Sequence, residues 1–327
     1  MEPTKASHFR LEWIASFVAV ARHGSFSAAA AALYRSQPRV SSHIADFERT
    51  LGVKLLDRSL QPARLTPEGR ALLPHAEAIM RRLAILDEFS PDDDGAVHGE
   101  VRIGMYPSAA AYLFPPVVQR LRERHSQVTT LLREGPTLAL EAMLASGEID
   151  LAVRPLMPLA SDRRLASTIL WREPLVAVLP ERHVLASART VRLANLAKLD
   201  LVTIGETGGA RQREFETDYA FAYAGLIPHI MFQTNQPQTL VSIVRSGLGV
   251  GVTNGLAMTT ANLHGLRLVP VRDASCQRVV ALFWRGDHPA SAAVAAVLRV
   301  VTSAPAPTWP WAGEDEPTVR LLNAPRN

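Results

Sequence analysis

The stretch Ser25–Gly52, SFSAAAAALYRSQPRVSSHIADFERTLG, decides how the N-terminal part of the chain folds. Its first half is rich in alanine, which favours a short helix, and Tyr34-Arg35 marks a turn. A second helix begins near Ser36, because serine is a preferred N-cap and Pro38 loses no hydrogen bond in a first helical turn. The stretch therefore predicts two helices joined by a tight turn, over about residues 26–45.

The second predicted helix has two unlike faces. Four apolar residues form one stripe with 4-3-4 spacing, namely Val40, Ile44, Phe47 and Leu51. The opposite face is small, polar and cationic, so it can approach a DNA groove and bond phosphates and base edges. This face, its flanks and the residues at its start predict DNA contacts by Ser36, Gln37, Pro38, Arg39, Ser41, Ser42, His43 and Arg49. The alternative is an ordinary αα-hairpin whose polar face is only solvated.

The segment after Gly52 predicts a β-hairpin wing and then a long helix. In the wing, Arg58 and Arg64 either contact DNA or are simply solvated. Thr66-Pro67-Glu68 starts the helix, which is expected to run to about Phe89. Its apolar residues alternate four and three apart, as in a coiled coil, and predict dimerisation through Leu72, Ala76, Ile79, Leu83 and Leu86. The alternative is that this helix packs against the effector domain of its own chain.

The order of these motifs resembles the N-terminal domain of LysR-type transcriptional regulators. The resemblance is carried by Gly24-Ser25-Phe26-Ser27, Ser36-Gln37-Pro38, Leu51-Gly52 and Leu65-Thr66-Pro67-Glu68-Gly69. It implies a winged helix-turn-helix in residues 1–66, a linker helix in 67–90, and assembly into a dimer or a tetramer. The chain departs from the family pattern at three positions, Arg39, Ser42 and Phe47. The operator sequence is therefore not transferable from a relative.

Composition restricts the classes of protein. The chain has 327 residues, 47% of them hydrophobic and 20% charged, which indicates a soluble globular protein of two or three domains. It has no apolar run of 18 residues and no signal peptide, so we expect a cytoplasmic protein without a membrane partner. The only cysteine, Cys276, excludes an intrachain disulfide and a cysteine-based zinc cluster, and we expect no metal and no cofactor.

Charge is unevenly distributed along the chain. Residues 1–66 hold nine Lys and Arg against five Asp and Glu, which equals the net charge of +4 of the whole chain. The rest of the chain is therefore neutral overall. Positive charge at the helix-turn-helix end fits a module that faces phosphates.

From Val97 onward, strands alternate with helices, which predicts a mainly parallel sheet covered by helices. The elements form one set, then a second, and then return to the first, which predicts two subdomains: about 97–162 with 269–303, and about 163–268. Crossings are expected near Pro158–Leu165 and Leu266–Pro270. Weaker motifs, such as Gly247–Gly251, resemble the periplasmic-binding-protein-like effector domain of the same family. The fold class is thus α+β and multi-domain, with an effector domain at 95–303 and a flexible tail at 304–327.

Ligands of open α/β sheets bind beyond the carboxyl ends of the strands. Thr253 and Asn254 lie at one such end, and Arg154 directly follows the apolar strand predicted at residues 149–153. We expect the Arg154 guanidinium at the rim of a cleft, where it would clamp a carboxylate. The alternative is a structural ion pair of Arg154 with Glu134 or Glu206.

Two predicted helix starts lie at the same edge of the sheet. Ser108 opens one helix and Thr137 caps the next, and the N-terminus of a helix favours an anion. The family resemblance carries the effector site to Ser108, Thr137 and Thr203. We therefore expect a small anionic or polar effector in the cleft.

The function expected from these features is sequence-specific regulation of transcription, modulated by the effector. The expected partners are an inverted-repeat operator in double-stranded DNA, the effector, further copies of the chain and RNA polymerase. An enzyme is not expected, because Gly205–Gly209 is followed by no Lys-Ser/Thr pair of a P-loop and no His-Glu-x-x-His motif occurs. The alternative, an architectural DNA-binding protein without an effector, would leave the cleft unexplained.

Overall fold

The computed structural model describes residues 8–57, 62–84, 97–205, 216–273, 277–287 and 290–309. Helices and a two-stranded hairpin form its N-terminal part: α1 (Leu11–His23), α2 (Phe26–Ala32), α3 (Gln37–Leu51), β1 (Leu56–Asp57), β2 (Arg64–Leu65) and α4 (Pro67–Ala84). The predicted helix-turn-helix and wing are confirmed. The expected continuation of α4 to Phe89 lies outside the described residues.

Helices α1, α2 and α3 share a small core because their apolar sides face one another. Val40 and Ile44 of α3 are fully buried in this core, together with Ala29 of α2. Phe47 packs edge-on against Phe17 of α1, with ring centroids 6.0 Å apart. The predicted apolar stripe of α3 therefore faces the inside of the domain and leaves the other side of the helix exposed.

The predicted helix caps are only partly formed. Ser36 is the N-cap residue of α3, but its side chain makes no cap hydrogen bond. Thr66 does cap α4, because its Oγ1 accepts a hydrogen bond from Gly69 N at 3.0 Å. Gly52 ends α3 with φ 75°, a left-handed conformation that glycine adopts without strain.

One buried carboxylate ties α3 to the wing. Glu48 Oε1 accepts hydrogen bonds from Leu55 N at 2.9 Å and Leu56 N at 3.2 Å, and Lys54 Nζ lies 3.0 Å from Oε2. Burial raises the pKa of Glu48, but these hydrogen bonds outweigh burial and leave the pKa below its ordinary value. The ionised carboxylate therefore fixes the point where the wing leaves α3.

The C-terminal part alternates strands and helices, as predicted from the sequence. Its elements are β3 (Gly99–Met105), α5 (Pro107–Arg124), β4 (Val128–Glu134), α6 (Thr137–Ser146), β5 (Leu151–Pro155), β6 (Leu165–Pro180), α7 (Leu193–Leu196), β7 (Asp200–Ile204), α8 (Glu216–Tyr223), β8 (His229–Thr234), α9 (Pro237–Arg245), β9 (Val250–Asn254), α10 (Gly255–Met258), β10 (Leu266–Pro270), β11 (Gln277–Arg285) and α11 (Ala292–Thr302).

The strands form one continuous path, β4-β3-β5-β11-β6-β9-β7-β8, and β10 also pairs with β6. Strands β3, β4 and β5 are parallel, as are β7, β8 and β9, whereas β6, β10 and β11 run antiparallel to their partners. Two lobes result. Lobe I contains the described residues of 97–174 and 277–309, and lobe II contains those of 175–273.

Strand β6 belongs to both lobes. Its residues 165–174 pair with β11, and its residues 175–180 pair with β9 or β10. The predicted crossings are therefore wrong: the first lies inside β6 at Pro174-Leu175, and Leu266–Pro270 is strand β10 of lobe II. Arg172 and Glu173 interrupt the apolar pattern just before Leu175. Pairing with β11 nevertheless keeps this segment extended.

The first residues of the expected flexible tail are packed on lobe I. Pro305 O accepts a hydrogen bond from Tyr112 Oη at 3.1 Å, and Trp309 packs against the hydrophobic core of this lobe. The prediction of a tail beginning at residue 304 is therefore wrong for residues 304–309. Residues 310–327 lie outside the described part of the chain.

Candidate nucleic-acid interface and ligand cleft

The solvent-facing side of α3 presents most of the predicted DNA contacts. Ser41 is half-buried, and the exposed members are Ser36, Gln37, Pro38, Arg39, Ser42 and Arg49. Arg39 makes no ion pair with any residue that the structure describes. Arg49 is placed differently, since its Nη1 lies 2.8 Å from Asp46 Oδ1. Arg39 is therefore available to a base or a phosphate, while Arg49 already has a carboxylate partner.

His43 does not lie on this exposed side. Its ring is half-buried, and Nδ1 lies 2.9 Å from Oγ of the buried Ser16 in α1. The position follows from helical geometry, because His43 comes three residues after the buried Val40. Its inclusion among the DNA contacts is thus corrected: His43 joins α3 to α1.

The two predicted wing contacts have different outcomes. Arg64 in β2 is exposed. It stands opposite Asp57 in the antiparallel register of the hairpin. Arg58 lies outside the described residues.

The predicted dimerisation residues of helix α4 lie in two different environments, some buried within the chain and some exposed. Ala76 is buried and Leu72 packs with it against the N-terminal core, near Phe17. Ile79 is 42% exposed and Leu83 is half-buried, whereas Leu86 lies outside the described residues. The assignment of Ala76 to a seam is therefore corrected, because contacts inside the chain already cover it.

Glu77 on the same helix touches both halves of the chain. Its Oε1 lies 3.1 Å from Arg22 Nε in α1, and its Oε2 lies 4.0 Å from Arg102 Nη1 in β3. Ala78 approaches Gly147 at the end of α6 so closely that a Cβ on this glycine would lie 3.1 Å from the alanine methyl. The alternative that α4 packs against the effector domain of its own chain thus holds at Glu77 and Ala78.

A cavity of about 370 Å³ lies between the two lobes. Residues from both lobes line it: Tyr106, Pro107, Ser108, Glu134, Gly135, Pro136, Thr137, Pro155, Ile204, Asn235, Gln236, Pro237, Thr253, Asn254, Ala257 and Arg278. Four of the predicted effector residues are among them, namely Ser108, Thr137, Thr253 and Asn254. The volume is at the small end of the range for small-molecule sites.

Three helices begin at the wall of this cavity. Pro107 starts α5, Thr137 starts α6 and Pro237 starts α9, so the partial positive charges of three helix N-termini face one space. Thr137 is the first residue of its helix and not the cap, which is Pro136. Helix α5 begins at Pro107, one residue before the predicted start at Ser108.

A buried hydroxyl also lines the cavity. Thr253 is fully buried at the end of β9, and its Oγ1 has no hydrogen-bond partner among the described residues. Thr203 on the adjacent strand is likewise buried with an unbonded Oγ1, but it does not line the cavity. The expectation that Thr203 contacts an effector is therefore not met by its position, whereas Thr253 offers a donor and an acceptor.

Arg154 lies elsewhere than expected. It is fully buried, and its Nη2 lies 2.9 Å from Glu141 Oε2 of α6. Its Nη1 donates to the carbonyl oxygens of Pro155 and Pro158 at 2.9 and 3.0 Å. The expected position at the cleft rim is wrong. The ion pair involves Glu141 and not Glu134, and Glu206 lies outside the described residues.

A second charged pair lies under the cavity floor. Arg278 of β11 pairs with the fully buried Glu173, which stands opposite it in β6. The Arg278 guanidinium carbon lies 4.4 Å from the centroid of the Tyr106 ring. Because Glu173 balances its charge, Arg278 gives the cavity hydrogen-bonding capacity without net positive charge.

Two family models match the chain. The model described as a bacterial regulatory helix-turn-helix protein of the lysR family matches residues 11–70, and the LysR substrate binding domain matches residues 94–306. The second match alone covers more than half of the chain. The chain belongs to the LysR family. Members of this family are DNA-binding transcriptional regulators with an effector-binding domain.

Individual LysR-type regulators are similar over most of the chain. The HTH-type transcriptional regulator CysB of Haemophilus influenzae is 31% identical over 71% of this chain and 71% of its own length. ShiR of Corynebacterium glutamicum is 32% identical over 84% of this chain and 92% of its own. The structure of a full-length OxyR variant from Pseudomonas aeruginosa has a TM-score of 0.68 at 23% identity, covering 91% of this chain and 99% of that one.

Some cavity residues of this LysR-type regulator were not predicted as site residues. Asn235 and Gln236 precede α9 and Pro237 is its first residue, and the sequence pattern there indicates only a helix start. Arg278 is the second residue of β11 and lies on the same side of the strand as the buried Val280 and Leu282. Its signal was therefore a charged residue at a position that the alternation predicts to be buried. Among the described residues, no helix is long and apolar enough to cross a membrane, and no His/Cys/Asp/Glu cluster could hold a metal ion.

Proposed function

We propose that this LysR-type regulator reads an inverted-repeat operator, with α3 of each of two chains in successive major grooves. The observation that carries the proposal is the division of α3 into a buried apolar stripe and an exposed polar side with Arg39. Such a helix can enter a groove while its other side holds it on the domain. Ser36, Gln37, Pro38, Ser41, Ser42, Arg49 and Arg64 supply further contacts to bases or phosphates in this proposal.

The proposed assembly is a dimer through the outer part of α4, with a tetramer as the next step. The exposed Ile79 and the half-buried Leu83 supply apolar surface for a partner helix. For the domains we propose a DNA-binding unit at residues 1–66, a linker helix at 67–90 and an effector domain that extends from 95 to the packed Trp309. The regulator acts on DNA in the cytoplasm in this proposal, and RNA polymerase is the protein partner whose activity it regulates.

The proposed effector binds between the lobes. Ser108 and Thr137 stand in the first turns of α5 and α6, and Thr253 and Asn254 face them from lobe II. The unbonded Thr253 hydroxyl supports a polar ligand, because a buried hydroxyl without a partner is costly and a ligand can supply the partner. Binding to both lobes would favour one arrangement of the lobes over others.

Selection of genomic DNA fragments by the purified full-length protein tests the DNA-binding proposal, followed by footprinting of the selected fragments. We expect a protected region with two symmetric halves separated by about one helical turn or a multiple of it, ~34 Å each. Equal affinity for selected and random fragments would overturn it and would favour an architectural protein. Small acids and amines that shift the footprint would then support an effector, and footprints that no ligand changes would count against it.

A further inference from the structure

The cavity has one carboxylate that no charged side chain of the described residues balances, that of Glu134. Glu134 lines the cavity from the end of β4, and its side chain is exposed. In the part of the chain that the structure describes, Glu134 has no ion pair and no side-chain hydrogen bond. The other charged lining residue, Arg278, is neutralised by Glu173. The charged side chains of the described wall therefore carry a net charge of about −1, from Glu134.

The same cavity also attracts negative charge. The N-termini of α5, α6 and α9 reach it, and these helices have 18, 10 and 9 residues. Thr253 adds a buried hydroxyl without a partner, which can donate to a carboxylate oxygen. Helix N-termini and hydroxyl donors together are the usual protein partners of a carboxylate that has no arginine or lysine beside it.

A ligand with negative charge alone fits only one of these two features. Its carboxylate would gain from the helix N-termini but would be repelled by Glu134, and closure of the lobes would remove the water that screens this repulsion. A simple amine would be attracted by Glu134 but would be disfavoured by the helix N-termini. A ligand with an ammonium group at one end and a carboxylate at the other satisfies both.

We propose that the effector of this regulator is a small zwitterion of the amino-acid type, whose ammonium group pairs with Glu134 and whose carboxylate binds the helix N-termini and Thr253. The inference rests on the proposed effector role of the cleft. The cavity volume of about 370 Å³ limits the ligand to a small molecule. Glu134 is thus a specificity-determining residue, because it selects ligands that carry a positive group.

Thermal shift and calorimetric titration of the full-length protein test the proposal. The probes are the twenty common L-amino acids, and each binder is compared with the same carbon skeleton lacking its amino group. We expect one or a few amino acids to bind and the deaminated acids to bind at least about tenfold more weakly. Glu134→Gln should weaken amino-acid binding about tenfold and should reduce the discrimination against the deaminated acid.

Glu123→Gln is the matched control, because it removes the same charge from the exposed far end of α5 and should leave binding unchanged. Equal binding of an amino acid and its deaminated acid, or unchanged binding in Glu134→Gln, overturns the zwitterion proposal. A screen in which no amino acid binds also overturns it. If deaminated acids bind and shift the DNA footprint, the effector function stands and only the ligand class is wrong.

Discussion

Arg154 and Glu141 form a buried ion pair with 2.9 Å between Nη2 and Oε2. The other oxygen of Glu141 accepts hydrogen bonds from both N and Oγ of Ser161, each at 2.7 Å. Burial lowers the pKa of Arg154, and the charge of Glu141 opposes this effect. The pair joins β5, α6 and the loop that leads to β6, so it serves the architecture of lobe I and not the cavity.

Loss of one partner should therefore destabilise the protein without changing effector binding. Glu141→Gln would leave a buried guanidinium without its counter-charge, at a cost of about 3–5 kcal/mol. Thermal unfolding measures the effect. The control is Arg49→Ala, which breaks the surface pair with Asp46, whose side chains are 76% and 31% exposed, and should hardly change the melting temperature. Similar losses in both variants would contradict the structural role of the buried pair.

Arg39→Ala should weaken operator discrimination by ~1–3 kcal/mol if Arg39 reads a base edge. Its guanidinium has no ion pair in the described chain, so no internal contact is lost and folding should be unaffected. Competition between operator and random duplexes at fixed salt gives the value. Arg189→Ala removes an equal charge from an exposed site of lobe II and should leave discrimination intact. An equal loss on both duplexes would mark Arg39 as a phosphate contact.

Ile79→Asp should convert the proposed dimer into monomers. The side chain is 42% exposed in the single chain, so aspartate fits the monomer, whereas a buried carboxylate in a seam is costly. Analytical ultracentrifugation measures the result. Val184→Asp is the control, since Val184 is 85% exposed in lobe II and should leave the assembly unchanged. An Ile79→Asp protein that still sediments as a dimer would place the interface elsewhere.

Glu48→Gln should destabilise the N-terminal domain at neutral pH and much less in acid. The folded-state pKa of Glu48 lies below its ordinary value, so its stabilising contribution is complete above about pH 4.3 and is lost as the pH falls through the folded pKa. At pH 7 the expected loss is about 1–3 kcal/mol. Unfolding curves of both proteins from pH 7 to pH 3 should converge at the acid end. A constant difference would contradict an ionised Glu48, and Glu123→Gln provides the baseline for an exposed carboxyl.

Local periodicity sufficed for the N-terminal domain. Residues 40, 44 and 47 are apolar at helical spacing, and the structure buries all three. The turn, the wing and the start of α4 carry residues whose backbone preferences are strong, such as Gly52 and Thr66. These elements form from contacts between residues that are close in the sequence, so a sequence pattern can predict them.

The cleft was harder to predict because its residues meet over long distances in the chain. Glu173 and Arg278 are 105 positions apart and pair only because β6 and β11 are antiparallel neighbours. Arg154 lies inside β5, one residue before its end, and which way its guanidinium turns depends on Glu141 in helix α6. Ser108, Thr137, Thr253 and Asn254 do line the cavity, because the carboxyl ends of parallel strands share one edge, and their contact with an effector stays a prediction.

The continuous strand β6 also determines how the two lobes can move. It keeps its ladder hydrogen bonds to β11 up to Pro174 and to β9 from Leu175, so a sharp hinge between the lobes would break backbone pairing. We expect the lobes to turn about the long axis of β6 through a change in its twist, which strands tolerate over a range of angles. The outer strands β4 and β8 stand at opposite ends of the sheet order and travel farthest in such a turn. A ligand that separates the lobes slightly near this axis would thus produce a larger displacement at the two edges of the sheet.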